Sequence, residues 1–129
     1  MVGMTYSPGE VADKTGFSID TLRYYERIGL LAHIERTAGG RRSFTDDDVE
    51  WLGTLRCLRD TGMPIARMQR YAELTRIEQT EEERLRILEE HDEEVGRRIA
   101  ELEAQREHIR AKIAWYRETA AASATAAAS

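Results

Sequence analysis

The sequence predicts a mainly α-helical protein: a head of short helices carrying one small hairpin, then a single long helix. Three features point there. Ser7, Thr45 and Thr80 each stand before a helix-forming stretch with an acid three residues on, the pattern of a capping box. Gly39-Gly40 lies between two short stretches of alternating apolar and polar residues, a hairpin signal. From Leu85 to Tyr116 apolar residues recur in alternating steps of three and four, the heptad pattern of a coiled coil.

The elements follow in order. Ser7 caps a first helix, Pro8 suits its first position, and the helix runs to about Thr15. Gly16-Phe17 makes a turn, Ser18 caps a second helix to about Ile28, and Gly29 ends it. The hairpin lies between Leu31 and Phe44, and Thr45, followed by Asp46, Asp47 and Asp48, opens a third helix to about Thr61. Gly62-Met63-Pro64 breaks it, and a fourth helix spans about Ile65 to Thr75. Thr80 caps the last helix, expected to reach about Glu118. The Ala, Ser and Thr residues of 119–129 read as a disordered tail. The expected domains are therefore 1–77, 78–118 and the tail.

Composition narrows the function. No apolar run approaches the roughly 18 residues of a membrane span and no signal peptide is visible, so a cytoplasmic protein is expected. One cysteine builds neither an intrachain disulfide nor a cysteine-rich metal site. His33, His91 and His108 are too scattered to form one, so neither metal nor cofactor is expected. The net charge of −5 is unevenly spread: residues 1–77 hold eleven basic and eleven acidic groups, residues 78–129 eight and thirteen. Between Thr21 and Phe44 stand Arg23, Arg27, Arg36, Arg41 and Arg42 against Glu26 and Glu35. Phosphate affinity depends on such a local focus rather than on the total. With no phosphate loop and no nucleophile–base pair, the chain does not read as an enzyme.

The first two helices have the layout of a helix-turn-helix. Ala12 is small where the helices must approach, and Gly16 occupies the turn. Val11, Phe17, Leu22 and Tyr25 take the packing positions, while Ser18, Asp20, Thr21, Arg23 and Tyr24 face outward, as in a helix offered to the major groove. A plain helical hairpin would share the glycine turn.

Residues 22–30 (Leu-Arg-Tyr-Tyr-Glu-Arg-Ile-Gly-Leu), residues 36–44 (Arg-Thr-Ala-Gly-Gly-Arg-Arg-Ser-Phe), Asp48 and residues 59–65 together resemble the MerR family of bacterial regulators, and the resemblance covers residues 5 to about 118. It implies a winged helix-turn-helix DNA-binding domain, a helical linker and a long C-terminal helix that dimerises as an antiparallel coiled coil. It implies that Thr21 and Tyr24, with Ser18, lie at or beside the bases. Arg23, Tyr25 and Arg42 would anchor phosphates, and Arg36 and Arg41 would serve the wing. Phe44, counted among the DNA-binding residues, stands where the family has tyrosine; it lacks the hydroxyl that could hold a phosphate, though the ring can still pack. Tyr25 reads equally well as core, and Arg27 as a solvated helix end. The implied partner is double-stranded promoter DNA, which such dimers bend and untwist between widely spaced promoter elements. RNA polymerase is then engaged indirectly, through the DNA.

The heptad seam runs through Leu85, Leu88, Asp92, Val95, Ile99, Leu102, Arg106, Ile109, Ile113 and Tyr116. So long a stripe needs a partner helix, which a second copy would supply as a homodimer. Asp92 and Arg106, equidistant from Ile99, could meet across an antiparallel pair or reach solvent. A generic coiled-coil adaptor shares this helix but leaves residues 5–65 unexplained.

A separate ligand domain is not expected, and the cysteines that metal-sensing family members carry near this helix's end are absent from the sequence. Cys57 falls nearly opposite the Trp51, Leu52, Leu55 and Leu58 face of the third helix and stands between Arg56 and Arg59, a setting that favours a reactive thiolate. Residues 48–59 also resemble the aldehyde- and electrophile-responsive branch, which carries a lone cysteine in this helix. Cys57 thus reads either as a stress sensor or as a passive small residue. A second reading places a small apolar ligand among Met63, Met68, Tyr71 and Trp115.

Overall fold

A computed structural model describes residues 3–128. Short helices form where the sequence supplies their ends. Ser7 accepts a hydrogen bond from the Glu10 amide at 3.2 Å while the Glu10 carboxylate accepts from the Ser7 amide at 3.0 Å, opening α1 (Pro8–Thr15). Gly16 closes it at φ +77°, donating to the Ala12 carbonyl. Ser18 caps α2 (Ile19–Arg27), and Gly29 leaves it at φ +86°. The Thr45–Asp48 capping box opens α3 (Asp46–Asp60), and α4 (Ile65–Thr75) follows the Gly62-Met63-Pro64 break.

One pairing was not visible in the sequence. Thr5–Tyr6 forms β1, antiparallel to β2 (Phe44–Thr45), with Tyr6 opposite Phe44. Strands of two residues carry no periodicity to read. The Tyr6 hydroxyl donates to Asp46 at 2.7 Å, fastening the N-terminal segment to the start of α3.

Val11, Leu22 and Tyr25 from the first two helices and Phe17 from the turn between them close over Leu52, Leu55 and Leu58 of α3 and Met63, Met68 and Ala72 around α4. Leu30, Leu31, Ile34 and Phe44 fill the same core from the wing side. Trp51 lies at its margin, its indole donating to the Leu30 carbonyl at 2.8 Å and stacking on Tyr71.

The last helix begins after Thr80, as expected, and ends later than expected. α5 spans Glu81–Ala128 over 48 residues, so residues 119–128 are helical rather than a disordered tail. Alanine has the highest helix propensity and simply prolongs a helix already nucleated. Ser129, the end of the expected tail, lies outside the described residues, as do Met1 and Val2. At the other end, the Thr80 hydroxyl donates backwards to the Leu74 and Ile77 carbonyls, at 2.7 and 2.9 Å, sealing the exit from α4. The chain divides into two compact units between Glu89 and Glu90 rather than after residue 77. The first turns of α5 belong to the head: Ile87 and Leu88 pack on its core, and Glu83 pairs with Arg70 at 3.3 Å.

Candidate nucleic-acid interface

The turn of the helix-turn-helix is held from inside. Thr15 donates its hydroxyl to the Val11 carbonyl at 2.7 Å and accepts the Phe17 amide at 3.3 Å. Phe17 then meets Tyr25 edge-on at 5.2 Å. α3 grips the turn from behind: Arg56 donates to the Thr15 carbonyl, and the Arg59 guanidinium lies 4.8 Å from the Phe17 ring centre. Cations on carbonyls at a helix C-terminus also oppose its negative dipole end.

With its apolar face buried through Leu22 and Tyr25, α2 presents Ser18, Thr21, Arg23 and Tyr24 outward. Ser18 Oγ accepts the Thr21 amide at 3.1 Å and lies 2.9 Å from the Thr21 hydroxyl, so the cap and Thr21 share one small polar cluster. The side chain of Arg23 is 61% exposed and approaches Asp20 only to 3.9 Å, a pairing weak enough to yield to a phosphate. Arg27 is exposed and lies over the Tyr24 ring, 5.4 Å from its centre, which stiffens that ring.

The wing is a hairpin with a glycine at its corner. Arg36 and Arg42 form its bridge, the Gly40 amide donates to the Thr37 carbonyl at 2.9 Å, and Gly40 takes φ +83°. That left-handed corner closes the hairpin with the right-handed twist its arms need. Arg36 donates to the Gly40 carbonyl at 2.9 Å, and Arg41 is exposed beside it. Between wing, α2 and the start of α1 lies a groove of about 600 Å³, walled by Arg23, Arg36, Arg41 and Arg42 with Ser7, Pro8, Gly9 and Ile19.

Three side chains expected at the DNA are otherwise employed. Tyr25, expected as a phosphate anchor or as core, is 3% exposed and Phe44 is fully buried, so both rings belong to the core. Arg42 points inward: its Nε and Nη2 both meet Glu26 Oε1 at 2.9 Å, and Glu26 also accepts the Ile34 amide at 3.1 Å. Burial pushes the Glu26 carboxyl up, but the hydrogen bonds from Ile34 and Arg42, with the charges of Arg42 and Arg36, outweigh it and hold the group below its ordinary value. Glu26 is thus the residue that seats the wing on α2. In sequence it stands only as an offset to nearby arginines, and its spacing of sixteen from Arg42 offers no signal.

Cys57 is an exposed thiol, off the buried face of α3 as expected. Its neighbours Arg56 and Arg59 both engage Asp60, at 3.4 and 2.9 Å. Met63 and Met68 are packed into the core and Tyr71 stacks on Trp51 at 5.8 Å, so these side chains are spent on packing rather than on a ligand cavity. Trp115 lies on α5, edge-on to Tyr116 at 4.8 Å. Along the seam, Leu85, Ile99, Leu102, Ile109, Ile113 and Tyr116 are exposed, Val95 is half-buried, and Leu88 packs on the head's own core. Among the described residues no helix is long and apolar enough to cross a membrane.

The sequence profile of the MerR HTH family regulatory protein matches residues 6–75, and that of MerR, DNA binding, matches residues 49–112. The chain belongs to the MerR family. It is 41% identical over 119 residues to an uncharacterized HTH-type transcriptional regulator of Haemophilus influenzae, covering 92% of this chain and 88% of that protein. Among solved structures it is similar to HiNmlR, a MerR family regulator lacking the sensor domain and bound to promoter DNA, with a TM-score of 0.82 and 41% identity over 92% of this chain and 94% of that one. A MerR family transcriptional regulator from Listeria monocytogenes matches with a TM-score of 0.79 and 35% identity, over 84% of this chain and 83% of the other. This MerR protein is therefore a helix-turn-helix transcription regulator of mainly helical fold with a long C-terminal helix.

Proposed function

We propose that the chain acts as a homodimer on double-stranded promoter DNA, distorting it and so serving RNA polymerase through the DNA. It performs no catalysis of its own. The observation that carries this reading is the groove walled by Arg23 of α2 and by Arg36, Arg41 and Arg42 of the wing, together with Thr21 and Tyr24 on the outward side of α2. Helix residues there suit base edges, and the arginines suit phosphates on either side. The similarity to HiNmlR, which is bound to promoter DNA, supports it. The exposed seam of α5 supports the homodimer, since Leu85 and Leu102 leave 55% and 64% of their surface uncovered in a single chain. Nuclease footprinting on DNA flanking its own gene tests the proposal. A protected, two-fold-related site that fades steeply with salt is expected; no protection at low salt would overturn it.

Electrophile or oxidative stress is the signal that the site favours. Cys57 is exposed and adjoins Arg56, whose guanidinium holds the end of α1. An adduct on the thiol would crowd the side chains that brace the helix-turn-helix. Cys57→Ser should abolish the promoter response to aldehydes while leaving the footprint intact; a full response in that variant refutes the assignment.

A further inference from the structure

The exit of α2 is held by side chains from the layer beneath it. Three successive carbonyls accept there: Ile28 from Gln69 Nε2 at 2.9 Å, Gly29 from Arg76 Nη2 at 2.8 Å and Leu30 from Trp51 Nε1 at 2.8 Å. Gln69 lies on α4 and Arg76 caps its C-terminus, while Trp51 of α3 stacks on Tyr71 of α4. What the three donors fix is position. α2 has only nine residues and therefore takes its direction from where its ends are held. Its start is capped by Ser18 behind a turn braced by Arg56, and its end sits in these three donors. The same α4 is tied onward to α5 through Arg70, which pairs with Glu83 at 3.3 Å.

We propose that Trp51, Gln69 and Arg76 form a carbonyl clamp that sets the angle at which α2 enters DNA. Gln69 and Arg76 are then positioning residues for sequence recognition although neither lines the groove. This rests on the DNA-binding reading given above. Base contacts tolerate little angular error, whereas phosphate contacts by long exposed arginines adapt, so loosening the clamp costs discrimination before it costs general affinity.

The test compares two duplexes: one that the wild-type chain selects from a random pool, and a scrambled duplex of equal length. In Gln69→Ala/Arg76→Ala the affinity for the selected duplex should fall about tenfold or more, the combined effect of losing one neutral and one charge-assisted bond. Affinity for the scrambled duplex should stay within about twofold, because Arg23 and Arg41 are untouched. Arg76→Lys, which keeps a cationic donor, should recover part of the loss. Gln69→Glu keeps the size of the side chain while setting a carboxylate against the Ile28 carbonyl, and decides the matter if the double variant fails to fold. A purely structural role would weaken both duplexes together and lower the melting temperature in step. Equal weakening of both, or an unchanged ratio, overturns the clamp. If the wild-type chain selects no sequence, the DNA-binding reading falls and the clamp with it.

Discussion

Removing Glu26 separates the wing from α2 without substituting any residue that walls the groove. In the wild type one carboxylate accepts two hydrogen bonds, from Arg42 Nε at 2.9 Å and from the Ile34 amide at 3.1 Å, and forms an ion pair with Arg42 Nη2 at 2.9 Å. The two side chains are only 18% and 20% exposed, so water replaces little of what is lost. Breaking a buried pair costs about 3–5 kcal/mol because the remaining charge is stranded. The residual exposure lets Arg42 recover part of this, which leaves about 2–4 kcal/mol for Glu26→Ala. For a head of this size that lowers the melting temperature by about 10–20 °C at fixed protein concentration. Glu26→Gln keeps an acceptor for Ile34 and should lose about half as much. The pH dependence has a definite sign. The folded carboxyl lies below its ordinary value of 4.5, so its contribution is fully present above that value and is lost as pH falls through the folded one. Urea unfolding of wild type and Glu26→Ala should therefore differ most near pH 7 and draw together in acid, as pH falls through the folded carboxyl's lowered value. A loss under about 0.5 kcal/mol at pH 7, or a gap that persists unchanged into acid, would mean that Glu26 does not seat the wing.

Other perturbations test other parts. Gly16→Ala places a methyl group against the Arg56 guanidinium at a residue held at φ +77°, and should cost about 2 kcal/mol in thermal unfolding; a neutral result would mean that the turn is not braced there. Leu102→Glu puts a charge into the α5 seam. If copies pair along it, each losing about 1.5–3 kcal/mol of burial, the dissociation constant should rise at least about a hundredfold by sedimentation. Unchanged sedimentation would place the dimer interface elsewhere. Arg23→Ala and Arg41→Ala should each flatten the salt dependence of DNA binding by about 0.9 for every phosphate left without its arginine, and a slope equal to that of the wild type would remove that arginine from the interface.

The features legible in the sequence are local or periodic. Ser7, Ser18 and Thr45 cap helices because a short hydroxyl side chain reaches amides two or three residues on, whatever lies beyond. Gly16, Gly29 and Gly40 take left-handed corners that other residues resist, which set the turn, the end of α2 and the tip of the wing. The spacing of three and four in α5 marked a face that a single chain leaves exposed. Tertiary packing settled the rest, because it depends on partners far apart in the chain. Arg42 reads like Arg41 in sequence, yet it turns inward because Glu26, sixteen residues earlier, waits there with Ile34. Tyr25 and Phe44 looked fit to face DNA, but their rings are worth more in the core, where α3 covers them. β1 exists only because β2, some forty residues later, supplies its hydrogen bonds. The bonds of Gln69 and Arg76 to the end of α2 span 41 and 47 residues, distances at which side-chain chemistry leaves no trace in a local pattern.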